Sequence, residues 1–343
     1  MARAGDLSSE RGPSGRALSR RLSLLYPRSP ALDPGHQSAT LEIRAGSDRE
    51  PPRVARALPV EGPAIKRVEF HGEPVVRFRA FLDGTQDSRV DRYVNGLPIV
   101  VGTASAVVRE RAGRRFVTWR YARSSRVYAP LHEMASAGDS TVAALEAGLG
   151  DALTDTSAAV AQATDGGPHP FTMQDAAVHA VQRERERLES ELGVAWCLER
   201  REPLFVDGGI AGDPRLAGAA NAVGVVKSHR ALYGDGGILA VILTLAPGDR
   251  STVFRIEPGH ARRSSVASWY LRTRDAAGRD PLWGLVRVEV TPDGSAAALA
   301  SRADDVSRWI LAEALPLALP DPRWHNMAYG IHDCEVFLRA IHA

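Results

Sequence analysis

Two Asp-Gly pairs stand where apolar, strand-like stretches end: residues 75–82 run into Asp83-Gly84-Thr85, and residues 203–206 run into Asp207-Gly208-Gly209. A carboxylate at the end of a buried strand is costly unless a cation compensates it, and a divalent metal with oxygen ligands does so. Two such ends point to metal-assisted chemistry on phosphate esters, where paired ions activate a water and stabilise the attacking and leaving oxygens. Carboxylates are the hard ligands that Mg²⁺ or Mn²⁺ prefers. Lys227 follows the apolar stretch 222–226 and, with Lys66, is one of only two lysines in the chain. Its ammonium can neutralise a phosphate or orient a carboxylate; a lysine whose stem covers apolar surface at a strand end has the same spacing.

Positioning these groups requires a sheet. Strand-like stretches at 75–82, 97–109 and 115–121 are rich in β-branched and aromatic residues, with turn residues at Val94-Asn95-Gly96 and Arg111-Ala112-Gly113. Residues 84–96 read as a long connection that closes an antiparallel pair. Residues 128–172 are rich in Ala, Gly and Thr and read as helical pieces and loops. A helix is expected over 173–192, where Val178, Val181, Leu188 and Leu192 recur at helical spacing. Glu184 and Glu189 flank that stripe, and Glu189 can point along the edge of the core. A solvated face pairing with arginines at i,i+4 accounts for any one glutamate of this helix as well. Further strands are expected at 203–206, 222–226, 239–245, 251–256 and 282–290. Helices are expected at 301–315 and 329–341.

The chain has 343 residues and a formal net charge of +2, so it is long enough for one large domain or two ordinary ones, and bulk charge does not announce a nucleic-acid partner. Its longest apolar runs, such as 238–245, are far too short to span a bilayer, and no membrane partner is expected. Cys197 and Cys334 are isolated, which reads as reduced thiols and a cytoplasmic location. Residues 1–60 are rich in Arg, Ser, Pro and Gly without a sustained apolar period and read as a flexible arm. The folded domain is expected over 61–343, with 128–200 as a helical insertion. Neither a Walker loop nor a Gly-x-Ser-x-Gly elbow is present. Arg262 and Arg263, followed by Ser264 and Ser265 and near Trp269 and Tyr270, combine cations, hydroxyls and aromatics suited to nucleic-acid backbone and a stacked base. A surface loop of ordinary composition has the same residues.

The order Asp83-Gly84-Thr85, a glutamate-bearing helix, Leu204-Phe205-Val206-Asp207-Gly208-Gly209 and Val223-Gly224-Val225-Val226-Lys227-Ser228 resembles the NurA nuclease family. So does the tail Asp321-Pro322-Arg323-Trp324-His325-Asn326-Met327 followed by Cys334-Glu335-Val336-Phe337-Leu338-Arg339. The resemblance covers roughly 75–342. It implies an α/β fold with a ribonuclease-H-like mixed sheet flanked by helices, and Mn²⁺- or Mg²⁺-dependent cleavage of DNA. It also implies a homodimer partnered by a HerA-type hexameric ATPase, in DNA end processing or anti-phage defence. Asp83 and Asp207 match the family's metal-binding aspartates, Glu189 the helix glutamate and Lys227 the lysine after the next strand; His325, or else His332, is the candidate for the late histidine. Gly209 stands where the family usually has Ser, and Thr85 where Ser is common. A catalytically idle ribonuclease-H-like scaffold binding DNA or the ATPase is the alternative.

Overall fold

Asn95 and Gly96 carry φ of 50° and 83°, the left-handed pair that a two-residue hairpin turn requires and that Asn-Gly supplies at least cost. Around this turn two long strands fold back on each other. The computed structural model describes residues 9–29, 31–32, 53–69, 72–163, 169–234, 237–257, 264–314 and 328–342. In chain order the elements begin β1 (Ser9–Arg11), α1 (Gly15–Leu25), β2 (Arg53–Ala55), β3 (Leu58–Pro59), β4 (Arg67–Val68), β5 (Ala80–Val94), β6 (Leu97–Ala112) and β7 (Arg115–Ala129). There follow α2 (Leu131–Ser136), α3 (Val142–Leu149), β8 (Leu153–Asp155), α4 (Ser157–Ala163), α5 (Pro170–Glu199), β9 (Leu204–Asp207), α6 (Pro214–Ala217), β10 (Ala222–Val226) and β11 (Ala231–Tyr233). The rest are α7 (Ile238–Thr244), β12 (Arg250–Ser251), β13 (Phe254–Ile256), β14 (Val266–Arg272), β15 (Leu285–Val290), α8 (Ala296–Ala314) and α9 (Tyr329–His342).

The chain divides into two compact units. Unit 1 comprises Met1–Arg49, Gly84–Ala106 and Arg120–Glu189; unit 2 comprises Glu50–Asp83, Val107–Trp119 and Ser190–Ala343. These boundaries fall elsewhere than the expected 60/61 and 128–200 and cut through β5, β6, β7 and α5.

In unit 1, β1 pairs in parallel with β7, and β8 pairs with β7 as well. Leu18 and Leu22 of α1 lie fully buried in a core with Val101, Val127, Met134 and Leu145, and the Ser14 side chain caps this helix by accepting from Ala17 N at 3.3 Å. The reading of 1–60 as a flexible arm therefore fails for residues 9–29. Leu18 and Leu22, one turn apart, anchor this helix, but Arg16, Ser19, Arg20, Arg21 and Ser23 stand around them, a pattern too sparse to show as an apolar period. Ala177, Ala180 and Val181 of α5 pack on Val90, Val100 and Tyr128, which fixes the stripe expected for this helix.

In unit 2 the strand order is β7-β6-β5-β9-β10-β15-β14-β12-β4. β9 runs parallel to both β5 and β10, while β15 is antiparallel to β10 and to β14. Three consecutive neighbours, extended beyond the first of them by two parallel strands reached through a helix, make the ribonuclease-H-like mixed α/β sheet that was expected. The face bearing Leu82 packs on Gly193 of α5, where a Cβ would fall 3.0 Å from the leucine. The opposite face meets α8 and α9: Trp269 Nε1 donates to Ser307 Oγ at 3.0 Å, and Gly330 sits so close on the Phe81 ring that no side chain fits there.

Three segments depart from expectation. Residues 75–79 are not strand; β5 starts at Ala80 and runs on through Asp83 to Val94, so the supposed connection 84–96 is mostly strand. Residues 239–245 fall within or beside helix α7, whose buried Ile238 and Ile242 are four apart; a short continuous apolar run does not distinguish helix from strand. The fully buried β14 was not foreseen.

Candidate functional site

The register Phe81↔Phe205 and Leu82↔Val206 carries β5 and β9 to their acidic residues one step later, so Asp83 and Asp207 stand beside each other on parallel neighbours. Adjacent strands lie about 4.8 Å apart. Side chains alternate along a strand, so Asp83 and Asp207 share the face of Phe81 and Phe205, whose ring centroids are 5.6 Å apart. An aromatic pair thus underlies an acidic pair. Asp83 is buried, with 8% of its surface exposed.

Val225 of β10 pairs with Asp207, and Lys227, two residues on, returns to the same face. Its Nζ lies 2.8 Å from Asp207 Oδ1. The alternative of a lysine merely covering apolar surface is thereby set aside: the ammonium is engaged with the second aspartate.

Beyond Asp207 the chain turns sharply. Gly208 has φ 126° and its N–H donates to Val225 O at 3.1 Å. The turn folds back over Gly224, where a Cβ would stand 2.8 Å from Gly208 O and 3.1 Å from Ile210 N; a residue with a side chain would push the loop away. Glu289 of β15 holds the same loop from beneath, its Oε2 accepting from Ile210 N at 2.8 Å and Ala211 N at 3.3 Å. Arg287 balances that carboxylate at 2.5 Å and lies under the Tyr233 ring, 4.8 Å from its centroid. Gly209 is closely approached as well: a Cβ there would fall 2.9 Å from Glu289 Oε2. Sequence reasoning missed Glu289 and Arg287. Their signal was present, since two charges on one face of the apolar run Leu285–Val290 must be buried together.

Around Asp83 the protein supplies α9. Cys334 donates its thiol to Phe81 O at 3.4 Å, and burial, reinforced by the negative charges of Asp83 and Asp333, pushes that thiol well above the ordinary range. Arg109 is tied to Asp333 at 2.5 Å and to Thr118 Oγ1. His229, two residues past Lys227, is bonded through Nε2 to Leu285 O at 2.9 Å and is held below the ordinary imidazole range, first by burial and then by Arg287 and Arg272.

The remaining expected residues fall elsewhere. Glu189 belongs to unit 1, where it accepts from Arg185 Nη1 at 2.8 Å and packs closely on Gly84. His332 lies on α9 with Nδ1 buried and unpartnered among the described residues. His325, Arg262 and Arg263 lie outside the described residues. Trp269 and Tyr270 are a correction: both are completely buried in β14. The Trp269 indole is bonded to Ser307, and the Tyr270 hydroxyl accepts from Tyr233 N at 2.7 Å. No ring face is left for a base, so these two are core residues.

Among the described residues no group of three or more His, Cys, Asp or Glu side chains is arranged to hold a metal. Asp83 and Asp207 nonetheless fit the manner in which Mg²⁺ binds, through one or two carboxylates completed by water and phosphate oxygens. Among the described residues no helix is long and apolar enough to cross a membrane. No family model matches the chain. No curated protein matches it either. Among solved structures it is similar to the crystal structure of the NurA nuclease from Sulfolobus solfataricus, with 11% identity, 78% of this chain and 81% of that chain covered, and a TM-score of 0.38. A likeness this distant supports nothing about the site, and the fold stands on the strand order and register alone.

Proposed function

We propose that unit 2 carries a divalent-metal-dependent deoxyribonuclease site built on Asp83, Asp207 and Lys227. The observation that supports this reading is the register, whose last pair Leu82↔Val206 immediately precedes Asp83 and Asp207 on parallel strands, with Lys227 bound to Asp207. Bound Mg²⁺ or Mn²⁺ would make a water nucleophilic and stabilise charge on the phosphate oxygens. Asp83 and Asp207 would hold the ion. Lys227 holds Asp207 in position through its 2.8 Å contact, and its ammonium would meet a phosphate oxygen. The buried Glu289–Arg287 pair fixes the loop after Asp207 and with it the direction of that carboxylate. The family resemblance adds a homodimer fed with DNA by a HerA-type ATPase, in end processing or defence, and the isolated cysteines add a cytoplasmic location.

The test is degradation of linear DNA with Mn²⁺. Asp83→Ala and Asp207→Ala should each lower the rate at least about 100-fold, the scale of losing one stabilising group at a reacting centre, with melting temperature checked in parallel. Full activity in both folded variants removes the proposal. A non-catalytic scaffold is the second reading, supported by the Lys227 salt bridge and the absence of a third ligating side chain among the described residues. Titration calorimetry separates the two: no Mn²⁺ uptake at millimolar metal favours the scaffold.

A further inference from the structure

A cavity of about 770 Å³ opens beside Pro203 and Asn221, the residues that precede β9 and β10. Asp207 lies at the far end of β9, roughly 10 Å along the strand at about 3.3 Å per residue. The volume is in the range of small-molecule sites. Four arginines line it, Arg77, Arg201, Arg215 and Arg302, and among the described residues no carboxylate does.

Two of these cations are committed. Arg215 is paired with Asp213 at 2.8 Å. Arg302 donates to Ala220 O at 2.9 Å and lies 4.9 Å over the Trp309 ring. Neither Arg77 nor Arg201 has a hydrogen-bond or ion-pair partner among the described residues. Arg201 is held at φ 57°, a left-handed conformation that costs a residue with a side chain roughly 1–2 kcal/mol. Such strain is a motive to look for function where it occurs. Most of the remaining wall is apolar, including Leu198 in the last turn of α5, with 73% of its surface exposed.

We propose that this cleft binds a nucleoside monophosphate. Arg77 and Arg201 take the phosphate, which pairs with guanidinium forks through charge-assisted bonds. The flat, apolar base lies along the wall formed by Leu198 and the stacked Arg302–Trp309 pair. Asn221, whose Nδ2 already serves Glu202 O at 3.1 Å, keeps its carbonyl oxygen for a donor on the base. The inference is independent of the nuclease reading, because the cleft and the carboxylates stand at opposite ends of the same strands.

Calorimetry on the full chain tests it, with dAMP, deoxyadenosine, inorganic phosphate and a (dA)₁₂ oligonucleotide as probes. The expected result is saturable dAMP binding, with deoxyadenosine and phosphate each at least tenfold weaker. The Arg77→Ala/Arg201→Ala variant should bind dAMP at least tenfold more weakly, and Asp207→Asn should bind it unchanged. Arg201→Glu provides a second variant, and thermal melts check that each protein is folded. No saturation at millimolar dAMP overturns the proposal, as does undiminished binding by the arginine variants or loss of binding in Asp207→Asn. Phosphate binding as tightly as dAMP reduces the cleft to an anion site. Oligonucleotide binding tenfold tighter than dAMP, lost with the same arginines, reassigns it to a strand of nucleic acid. Either result also overturns the mononucleotide assignment.

Discussion

The two ends of the β9–β10 pair treat charge in opposite ways. At the carboxyl end, Asp83 and Asp207 gather negative charge that the protein then manages: Lys227 is bound to one aspartate, and the loop beyond it is clamped by Glu289 and Arg287. At the amino end, four arginines gather around a cavity and two of them are left without protein partners among the described residues. A clamped group is part of the fold and its loss is felt as instability. An unclamped one waits for something from outside, and its loss is felt only as lost binding.

That contrast is broken most directly at Glu289. Glu289→Ala leaves Arg287 buried without its counter-charge and two loop N–H groups without an acceptor, a change expected to cost about 3–5 kcal/mol. Urea denaturation reads it, and a loss below 1 kcal/mol would mean that the loop is not held in this way. Gly209→Ser introduces a Cβ 2.9 Å from Glu289 Oε2, and overpacking of this kind costs about 1–3 kcal/mol. A stability equal to the parent would show that the loop has slack.

His229 sharpens the same end through pH. Its folded value is depressed, so below about 6.5 the unfolded chain takes up a proton that the folded protein refuses. The stabilisation is complete above that value and is lost as pH falls toward the folded value, with a slope no steeper than about 1.4 kcal/mol per pH unit. His229→Gln should flatten the change in urea midpoint between pH 7.5 and 5.5; an unchanged profile assigns the acid sensitivity to other groups. The smallest effect belongs to the other end. Arg77→Ala and Arg201→Ala should each shift stability by no more than about 0.5 kcal/mol, and a larger loss would reveal a structural commitment.

Much of the carboxyl end was legible in the residues. β10 spans the expected 222–226, β9 ends on Asp207, and the long helix carries the expected buried Val178, Val181, Leu188 and Leu192. The adjacency of Asp83 to Asp207 was a guess that depended on pairing, because nothing local records which strand lies next to which. The continuation of β5 beyond Asp83 was hidden by polarity: the run from Gly84 to Asp87 is half-buried throughout, so apolar alternation lapses inside a real strand. Leu18 and Leu22 were hidden by the arginines around them. The arginine cleft was not legible at all, since Arg77, Arg201, Arg215 and Arg302 come from four separate stretches of a chain in which arginine is common.

Gly330 pressed on Phe81, with Cys334 bonded to the carbonyl of that same residue 253 positions away, has a consequence for assembly. The helix that shields the first aspartate is made long after it, since Cys334 follows Phe81 by 253 positions. Until that late piece docks, Asp83 stays hydrated and its strand lacks a cover, and contacts between such distant segments are slow to form. A destabilised α9 would therefore be felt first as misfolding of newly made chains, with an open sheet face as the hazard.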